Sequence, residues 1–158
     1  TVFQTVEIDG EAYWDGGFSG NPALFPLYEP DLPDDILVVS INPMRTEDIP
    51  DTPLEIQNRI NEISFNASLL SELRAINFVR RLIAEGRMER GRMKEVKVHM
   101  ISDDALMNEL SADSKLSPTP YMLERLKAAG RAAAERFLSN GGSKLGQAPS
   151  VDLKDLLG

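Results

Sequence analysis

The sequence predicts an α/β fold, with strands gathered in residues 1–50 and a mostly helical region with one further strand in residues 51–158. Three observations carry this. Residues 36–41, Ile-Leu-Val-Val-Ser-Ile, are almost continuously apolar, as a strand buried on both faces would be. Residues 52–86 open with a capping signal, close with Gly86 and place apolar side chains three and four apart, the pattern of an amphipathic helix. A second β-rich run, Val96 to Ile101, follows that helix as one further strand.

The elements follow in order. Phe3, Val6 and Ile8 make a β-rich run, Asp9-Gly10 is a strong two-residue turn signal, and Ala12-Tyr13-Trp14 returns to deliver Asp15. Three glycines in the next five residues let the backbone adopt positive φ at little cost. Asn21-Pro22 reads as a helix start, with Asn as cap and Pro in the first turn. Pro30 to Asp35 is an acidic loop, Ile36 to Ile41 the apolar strand, and Asn42-Pro43 its end. Met44 to Thr52 is polar and irregular, and the boundary between the two regions is placed there.

Thr52-Pro53-Leu54-Glu55 combines a cap, a first-turn proline and a glutamate three residues after the cap. The helix should run to Glu85. Ile56, Ile60, Ile63, Ala67 and Leu70 form one stripe, which Leu73, Ile76, Val79 and Ile83 continue with a drift. Thirty-odd residues would span roughly 50 Å, long for a small domain, so a bend near Ser64-Phe65-Asn66 is expected. Arg59, Glu62 and Asn66 share a face at spacings of three and four. They read as a surface ion pair beside an amide, or as a polar network buried near Asp15. Arg87 to Glu95 is a basic, solvated connection.

Ser102-Asp103-Asp104 caps a short helix ending at Leu110, and Ser111 to Ser117 is a polar loop. Thr119-Pro120 opens the last long helix, with Leu123, Leu126, Gly130, Ala133 and Phe137 as its buried stripe. Gly130 costs roughly 1 kcal/mol relative to Ala in a helix, which suggests another backbone passing close by. Asn140-Gly141-Gly142 ends this helix. A flexible tail then leads to the amphipathic segment Val151 to Leu157.

At 158 residues the chain fits one domain that buries roughly two-thirds of its unfolded surface. A net charge of -8 argues against nucleic-acid binding, which needs clustered Lys and Arg, and weakly against electrostatic docking on an anionic membrane. No apolar run approaches the roughly 20 residues of a membrane span, and the expected location is cytoplasmic or peripheral to a membrane. There are no cysteines, which excludes disulfides and thiolate catalysis. A Ser-His-Asp triad within the chain would have to use its single histidine, His99. A lone strand histidine reads better as a packed or edge residue. The acidic pairs Asp34-Asp35 and Asp103-Asp104 lack calcium-loop spacing and read as solvated turns and caps. No metal or other cofactor is expected.

The stretch Tyr13 to Pro22 holds the main chemical signal. An aromatic strand end runs into Asp15, then Gly16-Gly17, then a polar turn. A carboxylate there suits a site residue of an open α/β sheet, although Asp-Gly is also a common turn dipeptide. The stretch resembles the Asp-Gly-Gly/Ala motif of patatin-like phospholipases, including the Asn-Pro that follows. The resemblance continues through Phe25-Pro26-Leu27-Tyr28 and Ile36 to Asn42. Residues Glu55 to Asn66 look like a C-terminal region carried by a bacterial subgroup, and the similarity extends to about residue 140.

The resemblance implies that residues 1–50 are the C-terminal end of a patatin-like core with a mostly parallel sheet, and 51–158 a helical extension. It implies an acyl hydrolase of lipid degradation, in which Asp15 is the base of a serine-aspartate dyad and Gly16 and Gly17 support its turn. Such a dyad needs a serine on a strained turn, usually Gly-x-Ser-x-Gly, and an oxyanion loop. In the family both lie upstream of the Asp-Gly-Gly, and neither occurs here. Gly17-Phe18-Ser19-Gly20-Asn21 comes closest, but Ser19 shares the turn of Asp15 and should order it.

The chain is therefore expected to be the C-terminal portion of a longer enzyme, inactive alone. Its sheet should be incomplete without the upstream half or another copy. The implied partners are a lipid or other acyl-ester substrate, that missing half and a possible homo-oligomer. A non-catalytic helical packing lobe and a pseudoenzyme are the alternatives.

Overall fold

The computed structural model describes residues 4–46, 49–110 and 119–158. Phe3 and the expected polar loop Ser111 to Ser117 lie outside them. The architecture is mixed α/β, with a small parallel sheet and helices.

The longest element is helix α1, Pro53–Ala84, formed as its end signals dictate. Thr52 Oγ1 accepts the Glu55 N–H while the Glu55 carboxylate accepts the Thr52 N–H, a complete capping box. At the other end Gly86 takes φ +68. The Arg87 and Gly86 N–H groups then bond to the Leu82 and Ile83 carbonyls, satisfying groups the helix leaves open. The helix runs unbroken through Ser64-Phe65-Asn66, where the Ser64 hydroxyl bonds back to the Ile60 carbonyl at 2.8 Å.

Strands β1 (Val6–Ile8) and β2 (Glu11–Tyr13) form the expected antiparallel hairpin. Asp9 and Gly10 both have positive φ, as a two-residue turn matching strand twist requires. β3 (Asp35–Val39) pairs in parallel with β4 (Lys97–Ile101), with Ile36 opposite Val98 and Leu37 opposite His99. The two pairs are separate sheets. The strand leading to Asp15 is thus in a ribbon of its own rather than in the parallel sheet. A tight turn can join only antiparallel neighbours, and among the described residues β2 has no other.

Side chains alternate across the sheet. One face presents Ile36, Val38 and Val98 to Leu69, Leu73 and Ile76 of α1. Leu24 and Leu153 complete this core, the latter from the short helix α4, Leu153–Leu157. The other face is covered in part by α3, Pro120–Asn140, through Ala133 and Phe137. Helix α2, Asp104–Glu109, is capped by Asp103 as expected.

Several expectations are corrected. β3 is buried on one face only: Ile36 and Val38 are buried, while Leu37 and Val39 are exposed because α3 covers the β4 side. The first helical turn after the Asp15 loop begins at Phe25, not at Pro22. Residues 21–24 instead turn to bury Leu24, and Pro26 takes the first-turn role. The α1 stripe is half used. Leu73, Ile76 and Ile83 are buried, joined by Leu69 from outside the stripe, but Ile56, Ile60, Ile63 and Ala67 are exposed because the first turns of the helix run past the sheet. Nothing lies within 4 Å of where a Gly130 Cβ would sit, so no backbone approaches it. Residues 142–150 are tied down rather than free. The Gly146 N–H donates to Asp35, and those of Ser150 and Val151 to the Val98 carbonyl.

The uneven stripe gives a direct test. Leu73→Ala is expected to destabilise by about 2–5 kcal/mol, as a fully buried leucine should. Ile60→Ala, on the same stripe, should change stability by about 0.5 kcal/mol or less. Urea denaturation of both variants measures the contrast.

Candidate functional site

Asp15 lies two residues beyond β2 and caps a short 3-10 turn, Gly16–Phe18. Its Oδ1 accepts the Gly17 N–H at 2.8 Å. The Gly16 carbonyl accepts the Ser19 and Gly20 N–H groups and the Ser19 hydroxyl, each at 3.0 Å. Ser19 therefore orders the turn, as the sequence suggested. Trp14 and Phe18 meet at 5.3 Å across it.

The glycines act differently from expectation. Gly16, Gly17 and Gly20 all avoid positive φ. Gly17 matters through space: a Cβ there would sit 3.1 Å from Asp15 Oδ1, so a side chain would displace the carboxylate. Gly16 has open space and contributes its carbonyl.

Facing this turn is α1. Gly17, Phe18 and Ser19 line a shallow depression of about 510 Å³ together with Ser64, Ser68 and Ser71 of the helix. The three serines were missed in the sequence. Their spacing of four and three was visible, but nothing in it tells which loop the face meets. Among the described residues Asp15 accepts no hydrogen bond from a serine hydroxyl, so no serine-aspartate dyad is assembled within them.

Glu72 seats the chain that follows the turn. One carboxylate oxygen accepts the Leu24 N–H at 3.2 Å and the other the Tyr28 hydroxyl at 2.7 Å. Burial, this hydrogen bond and the adjacent charge raise the Tyr28 pKa well above its ordinary value. Lys94, read as part of a solvated loop, directs its ammonium to the carbonyls of Leu27, Glu29 and Leu32 at 3.1, 2.7 and 2.8 Å. All three of its donors are used.

Arg59 and Glu62 pair at 3.3 Å, with side chains 31% and 21% exposed. Arg59 also reaches Thr46, and Asn66 reaches the Pro43 carbonyl. This network is half-buried, but it holds the segment after β3 and not the Asp15 turn.

His99 is packed, as expected. It is fully buried, 2.8 Å from Asp35 Oδ1 through Nε2 and edge-on to Phe137. A carboxylate only accepts, so Nε2 carries a proton, and Nδ1 is buried without a hydrogen-bond partner among the described residues. Asp35 is therefore no solvated turn residue. It holds His99 on one side and the Gly146 N–H on the other, both through Oδ1. Burial pushes the Asp35 pKa up, but the Gly146 N–H, the His99 ring and the Lys97 charge outweigh it and hold the carboxyl below its ordinary value.

No group of three or more His, Cys, Asp or Glu is gathered for a metal among the described residues. No helix among them is long and apolar enough to cross a membrane. No protein family, curated protein or solved structure compared with the chain matches it.

Two outcomes are expected. Glu72→Ala strands a backbone donor and a hydroxyl and should destabilise by about 1–3 kcal/mol. Adding Tyr28→Phe to it should cost less than Tyr28→Phe does alone, which a double-mutant cycle in urea would read. The Asp35 pKa is lower folded than unfolded, so its stabilisation is present above the ordinary carboxylate range and lost as pH falls through the folded value. The stability gap between wild type and Asp35→Asn should thus narrow below about pH 4, measured as urea midpoints across pH.

Proposed function

We propose that the chain is the C-terminal portion of a patatin-like lipid acyl hydrolase, supplying Asp15 as the dyad base but neither the serine nor the oxyanion loop. The observation that carries this reading is the placement of Asp15. Its carboxylate stands beyond a strand end, with Oδ1 held by the Gly17 N–H and Oδ2 without a hydrogen bond among the described residues. One oxygen is anchored and the other is available to take a proton. The order of sequence similarities, from Asp15-Gly16-Gly17 through Ile36 to Asn42 and on to Glu55 to Asn66, supports the same reading.

In the whole enzyme Asp15 accepts the serine proton as the serine oxygen attacks the ester carbonyl. The proton then passes to the departing alcohol, leaving an acyl-serine. Water attacks this intermediate with Asp15 again as base, releasing the acid and restoring the serine. Gly17 leaves the carboxylate room.

A second reading is a non-catalytic lobe that packs through α1. It is favoured by the exposure of Ile56, Ile60 and Ile63, at 44%, 51% and 55%. This reading requires self-association or a tight partner on that face.

Asp15→Asn in the full-length protein keeps the acceptor for Gly17 and should leave the fold intact. Ester hydrolysis should fall by about 10²- to 10⁴-fold, the usual worth of a positioned base. Wild-type turnover of a chromogenic ester by this variant would sink the hydrolase reading.

A further inference from the structure

On the face of the sheet away from the main core lies a cavity of about 570 Å³. Its walls come from five elements: Val39 of β3 with Ile41 just beyond it, Ile101 of β4, Phe65 of α1, Met107 of α2, and Leu126 and Ala133 of α3. The volume falls within the roughly 300–1,000 Å³ of small-molecule sites, which are also mostly apolar with a few polar groups.

Gly130 lies on this wall, inside α3. It is one of the poorest residues for a helix interior, and neither special backbone angles nor a close neighbour accounts for it. Its missing side chain keeps the cavity open.

The mouth decides the kind of occupant. Asn21, Asn42 and Ser102 border it, half-buried. Their side chains make no hydrogen bond among the described residues, so they can serve an uncharged polar group. The carboxylates at the border are already matched. Glu62 pairs with Arg59 and Asp103 with Arg136, each at 3.3 Å. A charged head would meet no free counter-charge there and would lose hydration without return.

We propose that this cavity binds an uncharged single-chain amphiphile, its hydrocarbon tail along Phe65, Leu126 and Gly130 and its hydroxylated head at Asn21, Asn42 and Ser102. The site rests neither on Asp15 nor on ester hydrolysis.

The test uses the whole chain and 1-O-dodecylglycerol, an ether that no esterase cleaves, titrated calorimetrically below its micelle concentration. Saturable one-to-one binding is expected, with dodecanoate and dodecyltrimethylammonium binding more weakly. Gly130→Leu should abolish binding while the melting temperature holds or rises, since the new side chain enters open space and a helix. Asn42→Ala, at the mouth, should weaken it. No ether binding by the wild type, undiminished binding by Gly130→Leu, or equal binding of all three amphiphiles would overturn the proposal. So would sedimentation showing a dimer whose formation Gly130→Leu blocks, because a second copy would then be the occupant.

Discussion

The parallel pairing of β3 with β4 is the constraint on which the rest depends. Parallel neighbours cannot be joined by a short turn, so a long connection must cross from the end of one to the start of the other. Here that connection contains α1, and the crossing lays Leu69, Leu73 and Ile76 over Ile36, Val38 and Val98. Two strands have two faces to cover. Once α1 takes one, the other is left to α3, which reaches His99 through Phe137 but leaves Leu37 and Val39 exposed. The apolar cavity beside Gly130 is a consequence of that partial cover.

Three side chains then fasten the loops to this frame through long-range polar contacts. Glu72 takes the Leu24 N–H and the Tyr28 hydroxyl, Lys94 takes three carbonyls between Leu27 and Leu32, and Asp35 takes the Gly146 N–H and the His99 ring. The contacts of Glu72 and His99 are partly buried and satisfy groups that would otherwise be left unpaired, which costs more than a hydrogen bond gains. Together the three side chains define where the turn after Asp15, the loop before β3 and the segment after α3 can lie. Each looks unremarkable in one dimension: a glutamate on a helix, a lysine in a basic loop, an aspartate in an acidic pair.

The candidate site shows the same division. That Asp15 ends a strand and starts a turn was legible, because Asp9-Gly10 sets the hairpin and the hairpin sets the position of Asp15. The reason for Gly17 was not, because it lies in the distance from its missing Cβ to Asp15 Oδ1 and not in a backbone angle. Gly130 failed in the opposite sense. A glycine on an apolar stripe suggested crowding, whereas the structure has space there. The sequence marks an absent side chain but cannot say whether backbone or void replaces it.

Local chemistry was determined by the sequence alone: both ends of α1, the caps of α2 and α3, and the two-residue turn between β1 and β2. These depend on side chains bonding to backbone a few residues away, so the information is all within one window. Tertiary structure alone decided which half of the α1 stripe is buried, which face of β3 is covered, that β2 stands outside the parallel sheet, and that Ser64, Ser68 and Ser71 face the Asp15 turn. Those outcomes depend on how far each element extends past its neighbour, and periodicity sets a direction around a helix or strand without setting a partner.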